Sequence, residues 1–186
     1  MIKRAFDLCL SILLLVPGMF ICLTVSAVYL VVERANPFFR QTRVGNDEKE
    51  FTLYKIRTMR PSTENKGTHE VDASFVTGIG RILRKTKLDE LPQLLNVISG
   101  DMSLVGPRPA LKTQTDVLEE RRKKGVFKIR PGITGYAQIQ GIDMSKPELL
   151  ASADATYMKT VSLWGDIKIL LLTATGSGLG DQIREQ

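Results

Sequence analysis

Asp89 and Glu90 stand side by side in TKLDELPQ, residues 86–93, between the cations Arg81, Arg84, Lys85 and Lys87 and the apolar run LLNVI. Two adjacent carboxylates in a basic stretch have two readings. One is helix capping, in which an Asp at a helix N-terminus accepts from free backbone N–H groups. The other is chemistry: one carboxylate attacks and the other holds a metal. Inside a helix, neighbouring side chains point about 100° apart and cannot serve one atom. At a helix start they can converge, and Pro92 marks such a start because proline is tolerated in the first turn. The positive end of a helix attracts phosphate and keeps a nearby carboxylate ionised. A carboxylate that attacks phosphorus meets like charge, which a divalent cation would lessen, and Mg²⁺ prefers carboxylate and phosphate oxygens. Pro107-Arg108-Pro109 offers a phosphate clamp, with two prolines stiffening the backbone around one guanidinium. Taken alone, GPRP and the later RPGITG read equally well as rigid turns.

The rest of the composition narrows the partners. A net charge of +6 over 186 residues favours anionic ones: phosphates, an anionic membrane surface or nucleic acid. Aromatics make up only 6% of the chain, with no Arg-rich tract interleaved among them, so no nucleic acid is expected. His69 is the only histidine, which rules out a His-based metal site or triad and leaves it as a loop residue. Cys9 and Cys22 both fall in the apolar N-terminal segment and read as small hydrophobes, without a disulfide framework.

That segment, Leu8 to Val32, carries no charge. As one straight helix it would reach about 37 Å, more than the ~30 Å hydrocarbon core. A cleaved signal peptide ending near Val25-Ser26-Ala27 is the weaker alternative, because the apolar stretch is too long. Pro17-Gly18 near its middle predicts a kink. Basic residues flank both ends, Lys3 and Arg4 before, Arg34, Arg40 and Arg43 after, so both ends favour the cytoplasmic side. A helix that enters one leaflet, breaks at Pro17 and returns satisfies both constraints, although proline kinks also occur in spanning helices.

The elements that must position the carboxylates follow. Residues 37–59 predict two short strands joined by a turn at Gly45-Asn46-Asp47, with Lys55 and Arg57 on one face of the second. Arg60 to Thr77 predicts a mobile polar loop. Helices are expected at about Gly80–Lys87, Asp89–Ile98, Leu111–Lys124 and Pro147–Thr160. Arg81, Arg84 and Lys85 read as one solvated or headgroup-facing side. The stretches SGDMSLVGPRP and IRPGITGYAQIQG read as dense turns. The last apolar piece, from Leu163, is too short to span and suits either the interface or the core. The expected fold is α+β and helix-dominated. A membrane helix (1–34) packs with a catalytic domain (35–186) carrying a small hairpin or sheet.

Together and in this order, FRQTRVG, YKIRTM, KLDELPQLLNVISGDMSLVGPRP, IRPGITGYAQI and the proline-centred apolar segment resemble the bacterial monotopic phosphoglycosyl transferases, the "bacterial sugar transferase" family. The resemblance runs from Arg4 to about Gly178. It implies transfer of a sugar 1-phosphate from a UDP-sugar to undecaprenyl phosphate, with release of UMP. It further implies that Asp89 is the nucleophile forming a covalent phosphosugar intermediate, that Glu90 binds Mg²⁺, that Arg108 holds phosphate and that Lys55 lies in the site. Looser resemblance adds Arg130 and Asp154 to the polar shell. It also implies a re-entrant helix in one leaflet of the bacterial inner membrane, with the body on the cytoplasmic face. The family's usual Ser-Pro at the break is Val16-Pro17 here, which removes a serine able to bond the freed carbonyl. The stretch from Gly141 to Met158 resembles members that handle UDP-linked N-acetylated deoxyhexoses. Oligomeric state, homo-oligomers included, and pathway stay open.

Two other classes compete. A non-catalytic membrane-anchored module would bind phosphate or anionic lipid through Arg81, Arg84, Lys85 and Arg108, and would do better without two carboxylates. A metal-dependent nucleotide-sugar hydrolase would share the residues but pass the phosphosugar to water.

Overall fold

The computed structural model describes residues 2–63 and 72–176. His69 and the middle of the expected mobile loop, residues 64–71, lie outside the described residues. Helix α1 (Ile2–Glu33) carries the apolar segment. A hairpin follows, β1 (Phe38–Val44) paired antiparallel with β2 (Glu50–Ile56), Phe39 opposite Lys55 and Val44 opposite Glu50. Then come α2 (Gly78–Thr86), α3 (Gln93–Ser99), β3 (Ser103–Val105) and α4 (Thr115–Lys123). The chain continues through β4 (Gly132–Thr134), α5 (Tyr136–Ile139), α6 (Pro147–Thr160) and α7 (Leu163–Ala174). The architecture is α+β and helix-dominated, as the sequence implies.

Local chemistry sets several boundaries. The Thr77 hydroxyl accepts from Gly80 N at 3.0 Å and caps α2. Ser162 does the same for α7 through Gly165 N at 3.1 Å. Pro147 opens α6, and Gly100 at φ +99 closes α3 in the left-handed region.

Helix α1 runs through Pro17 as one element, where the sequence predicts a break. One missing donor in an apolar helix of 32 residues does not end it, and the proline lies inside the helix, where a kink is expected. The helix is packed along its whole length. Near its start, Lys3 Nζ donates to Asp166 Oδ2 at 2.5 Å, and the Asp7 carboxylate accepts from Ser103 Oγ at 2.7 Å. In its middle, Gly18 faces Leu91 and Leu94. Near its end, Tyr29 OH donates to Met59 O at 3.4 Å. Its buried residues, Asp7, Ser11, Gly18, Ser26 and Tyr29, are small or carry a polar group, while Leu13, Phe20, Leu23 and Val31 are exposed. This is the reverse of a helix on a water-soluble body.

The main core gathers Leu53, Leu94, Val97, Met102, Leu104, Val105, Tyr157 and Ile169, with Phe6, Leu10 and Leu15 of α1 packed against it. Helix α7 gives one side to the core, where Ile169 and Asp166 are buried, and leaves Trp164 76% exposed. Strands β3 and β4 pair in parallel, Ser103 opposite Gly132 and Val105 opposite Thr134, where the sequence suggests only turns. At the crossing, a Cβ on Gly132 would stand 2.0 Å from Gly106 N, so no side chain fits there.

Candidate active site

The site forms where α2 ends. Lys87 adopts φ 57, and its N–H closes the helix on Arg84 O and Leu83 O. This left-handed residue turns the chain into a single 3-10 turn, Leu88–Glu90, that carries both carboxylates. Helix α3 begins only at Gln93, with Pro92 as its N-cap, so the expected start at Asp89 is corrected by four residues. Neither the 3-10 turn nor α3 has a side-chain hydrogen bond at its N-cap. The capping reading of Asp89 therefore fails.

Strand β2 brings in Lys55, whose Nζ donates to Glu90 Oε1 at 2.9 Å. The loop after β3 brings in Arg108, whose Nη1 lies 3.4 Å from the same oxygen. Two further cations arrive that the transferase reading of the sequence left out. Arg84 turns inward, its Nε donating to Thr58 Oγ1 at 2.8 Å and its charge acting on Asp89, while Arg81 and Lys85 stay exposed. Lys87 is half-buried beside Glu90, Arg108 and Asp89. The only available signal for them was sequence proximity to the pair. Among the described residues, the two carboxylates thus share their surroundings with Lys55, Arg84, Lys87 and Arg108.

The electrostatics follow from burial. Burial pushes the Asp89 carboxyl from its ordinary 3.8 up to about 6. Lys55, Arg84 and Arg108 oppose the rise, and Glu90 adds to it. Burial lowers the Lys87 ammonium, aided by Arg108 and opposed by Glu90 and Asp89. Four cations against two carboxylates leave a site short of negative charge, which suits a phosphorylated ligand.

Not every expected residue joins them. Asp154 is buried one step behind: its Oδ2 accepts from Arg121 Nε at 2.9 Å, and Arg121 Nη1 donates to Arg108 O at 2.7 Å. Arg130 is exposed at the opposite end of α3, donating through Nε to Gly100 O at 2.8 Å. Arg57, expected on the same face as Lys55, follows β2 and donates instead to Asn36 O at 2.9 Å. Among the described residues no three His, Cys, Asp or Glu side chains gather as a complete metal cage. Two adjacent carboxylates still fit Mg²⁺, which usually takes one or two carboxylates and completes its shell with substrate phosphates and water.

The model of the family described as "Bacterial sugar transferase" matches residues 1–177. The chain is 42% identical over 172 residues to the uncharacterized sugar transferase EpsL of Bacillus subtilis, covering 92% of this chain and 85% of that protein. It is 37% identical over 187 residues to the UDP-glucose:undecaprenyl-phosphate glucose-1-phosphate transferase of Escherichia coli, covering 93% of this chain and 39% of the relative. It is 35% identical over 180 residues to the UDP-N-acetylgalactosamine-undecaprenyl-phosphate N-acetylgalactosaminephosphotransferase of Aeromonas hydrophila, covering 92% and 42%. The chain thus spans most of the first relative and about two fifths of the other two. A match over residues 1–177, which include those that form the carboxylate site, makes this chain a member of the bacterial sugar transferase family.

Proposed function

We propose that the protein transfers a sugar 1-phosphate from a UDP-sugar to undecaprenyl phosphate through a covalent intermediate on Asp89, releasing UMP. The observation that carries this reading is the buried Asp89 beside Glu90, within reach of four cations. The activities for which the Escherichia coli and Aeromonas hydrophila relatives are named support the donor and acceptor classes.

An Asp89 oxygen attacks the sugar-bearing phosphorus of the donor, and the P–O bond to the UMP leaving group breaks with its electron pair. An oxygen of the lipid phosphate then attacks the same phosphorus, frees Asp89 and yields the diphosphate-linked sugar. No net proton transfer is required. Arg108, Arg84 and Lys87 neutralise phosphate oxygens, and Lys55 orients Glu90. Glu90 would hold Mg²⁺, which supplies charge neutralisation between carboxylate and phosphate when bound. Because donor and acceptor phosphates use the site in turn, one small site is sufficient.

The inside-out α1 supports placement in one leaflet. Its apolar side faces away from the body, and the body touches it from Lys3 to Tyr29. A helix flanked along its whole length by a polar body cannot cross a bilayer without burying that body. In this reading the body lies on the cytoplasmic face of the bacterial inner membrane, where UDP-sugars are available.

The test is intact-protein mass spectrometry with UDP-sugar and Mg²⁺ but no acceptor, over UDP-glucose, UDP-galactose, UDP-N-acetylgalactosamine and UDP-linked N-acetylated deoxyhexoses. One of these donors is expected to leave a phosphosugar on Asp89, and UMP release is expected to continue only when polyprenol phosphate is added. Sustained UMP release without acceptor would indicate a hydrolase. Normal turnover by Asp89→Asn would refute the nucleophile.

A further inference from the structure

Arg108 sits in a loop whose backbone is held to an unusual degree. Four consecutive carbonyls, from Pro107 to Ala110, are each taken by a different donor. Gly132 N donates to Pro107 O at 2.9 Å, Arg121 Nη1 to Arg108 O at 2.7 Å, Arg43 Nη1 to Pro109 O at 3.0 Å and Val44 N to Ala110 O at 2.9 Å. Prolines fix φ on either side of Arg108, and each held carbonyl fixes a ψ. The Arg108 side chain, which reaches Glu90 at 3.4 Å, therefore starts from a backbone held on both sides.

The two middle donors are buried guanidiniums, with Arg121 2% and Arg43 7% exposed. Arg121 also binds Asp154 through Nε at 2.9 Å and Nη2 at 2.7 Å, and Arg43 binds Gln41 Oε1 through Nε at 3.0 Å. A buried ion pair such as Arg121–Asp154 is a poor source of stability, since apolar residues of the same volume often do as well or better. What an apolar pair cannot do is reach across from α4 and grip the carbonyl of a residue flanked by prolines. The forked guanidinium can spend one arm on its partner and another on that carbonyl.

We infer that Arg43 and Arg121 are positioning residues that act through Arg108, with Asp154 and Gln41 orienting them. They hold the Arg108 backbone so that its side chain meets the donor diphosphate in one geometry. The inference rests on the reading of Arg108 as a phosphate clamp. It also gives Asp154 a different task from contacting substrate.

A double-substitution cycle tests it. Arg121→Lys keeps the charge but loses the fork, and a small displacement of a clamp lowers the specificity constant for the donor on the order of 10- to 100-fold. In an Arg108→Gln background the same substitution is expected to change kcat/KM less than about 2-fold, because the clamp it positions is gone. Arg43→Lys is run in parallel, so that the cycle survives if one variant does not fold, and folded yield and Tm are measured for all. An equal fold-loss in both backgrounds would mean that these arginines serve only the fold, and would overturn the inference. The cycle is also read on UDP affinity. A wild-type protein that turns over no donor refutes the transferase, while the coupling seen in UDP binding still decides the positioning role.

Discussion

Replacing Asp89 with Asn removes a negative charge that the fold disfavours. Burial raises the Asp89 carboxyl from 3.8 to about 6, so its ionised form is worth about 3 kcal/mol less in the folded than in the unfolded chain, at 1.36 kcal/mol per pH unit. The sign is that of a group whose folded pKa lies above its unfolded one. Its contribution to stability is whole below pH ~4, is lost as pH rises through about 6, and is constant above that. Asn does not titrate, and the groups away from the site cancel in the comparison. The Tm of Asp89→Asn minus that of the wild type is therefore expected to grow from pH 4 to pH 8. At about 2–4 °C per kcal/mol for a chain of this size, the growth is roughly 6–12 °C. The absolute offset carries the cost of a buried amide, about 1–3 kcal/mol, so the pH dependence is the quantity to read. Matched melting curves in one detergent at pH 4, 5, 6, 7 and 8 measure it. A gap that stays flat or narrows with rising pH would refute the claim that Asp89 is held in a desolvated pocket.

The same titration is expected in turnover: UMP release should rise through about pH 6 as the nucleophile ionises. Lys55→Met removes the 2.9 Å partner of Glu90 and a charge that lowers the Asp89 carboxyl, so the acid limb of the pH–rate profile should move to higher pH. Gly132→Ala would put a Cβ 2.0 Å from Gly106 N and is expected to cost about 4 kcal/mol or more, seen as lost folded yield. Gly78→Ala, where a Cβ meets nothing within 4 Å, should leave Tm unchanged or slightly raised. Trp164, the only tryptophan and 76% exposed on α7, should shift its fluorescence to the blue on binding anionic vesicles, and an unchanged spectrum would put that face of α7 in water.

Residue types and short spacings were enough to determine a good part of this protein. The uncharged run from Leu8 to Val32 forces an apolar helix. The alternation around Gly45-Asn46-Asp47 forces a hairpin. The adjacency of Asp89 and Glu90 beside Pro92 marks a helix junction with two carboxylates at it. Each of these depends on interactions within a few residues, which is what a sequence records directly. Tertiary structure decided which side of an element faces what. It turned Arg84 inward while Arg81 and Lys85 stayed out, and it set Asp154 on Arg121, while Arg130 went to the far end of α3. It also paired β3 with β4 across nearly thirty residues, Ser103 opposite Gly132, in segments that resemble turns because parallel strands of three residues carry no local pattern. The choice between neighbouring cations on one helix is made by what packs against it. That information is spread over the whole chain and becomes physical only when distant segments touch.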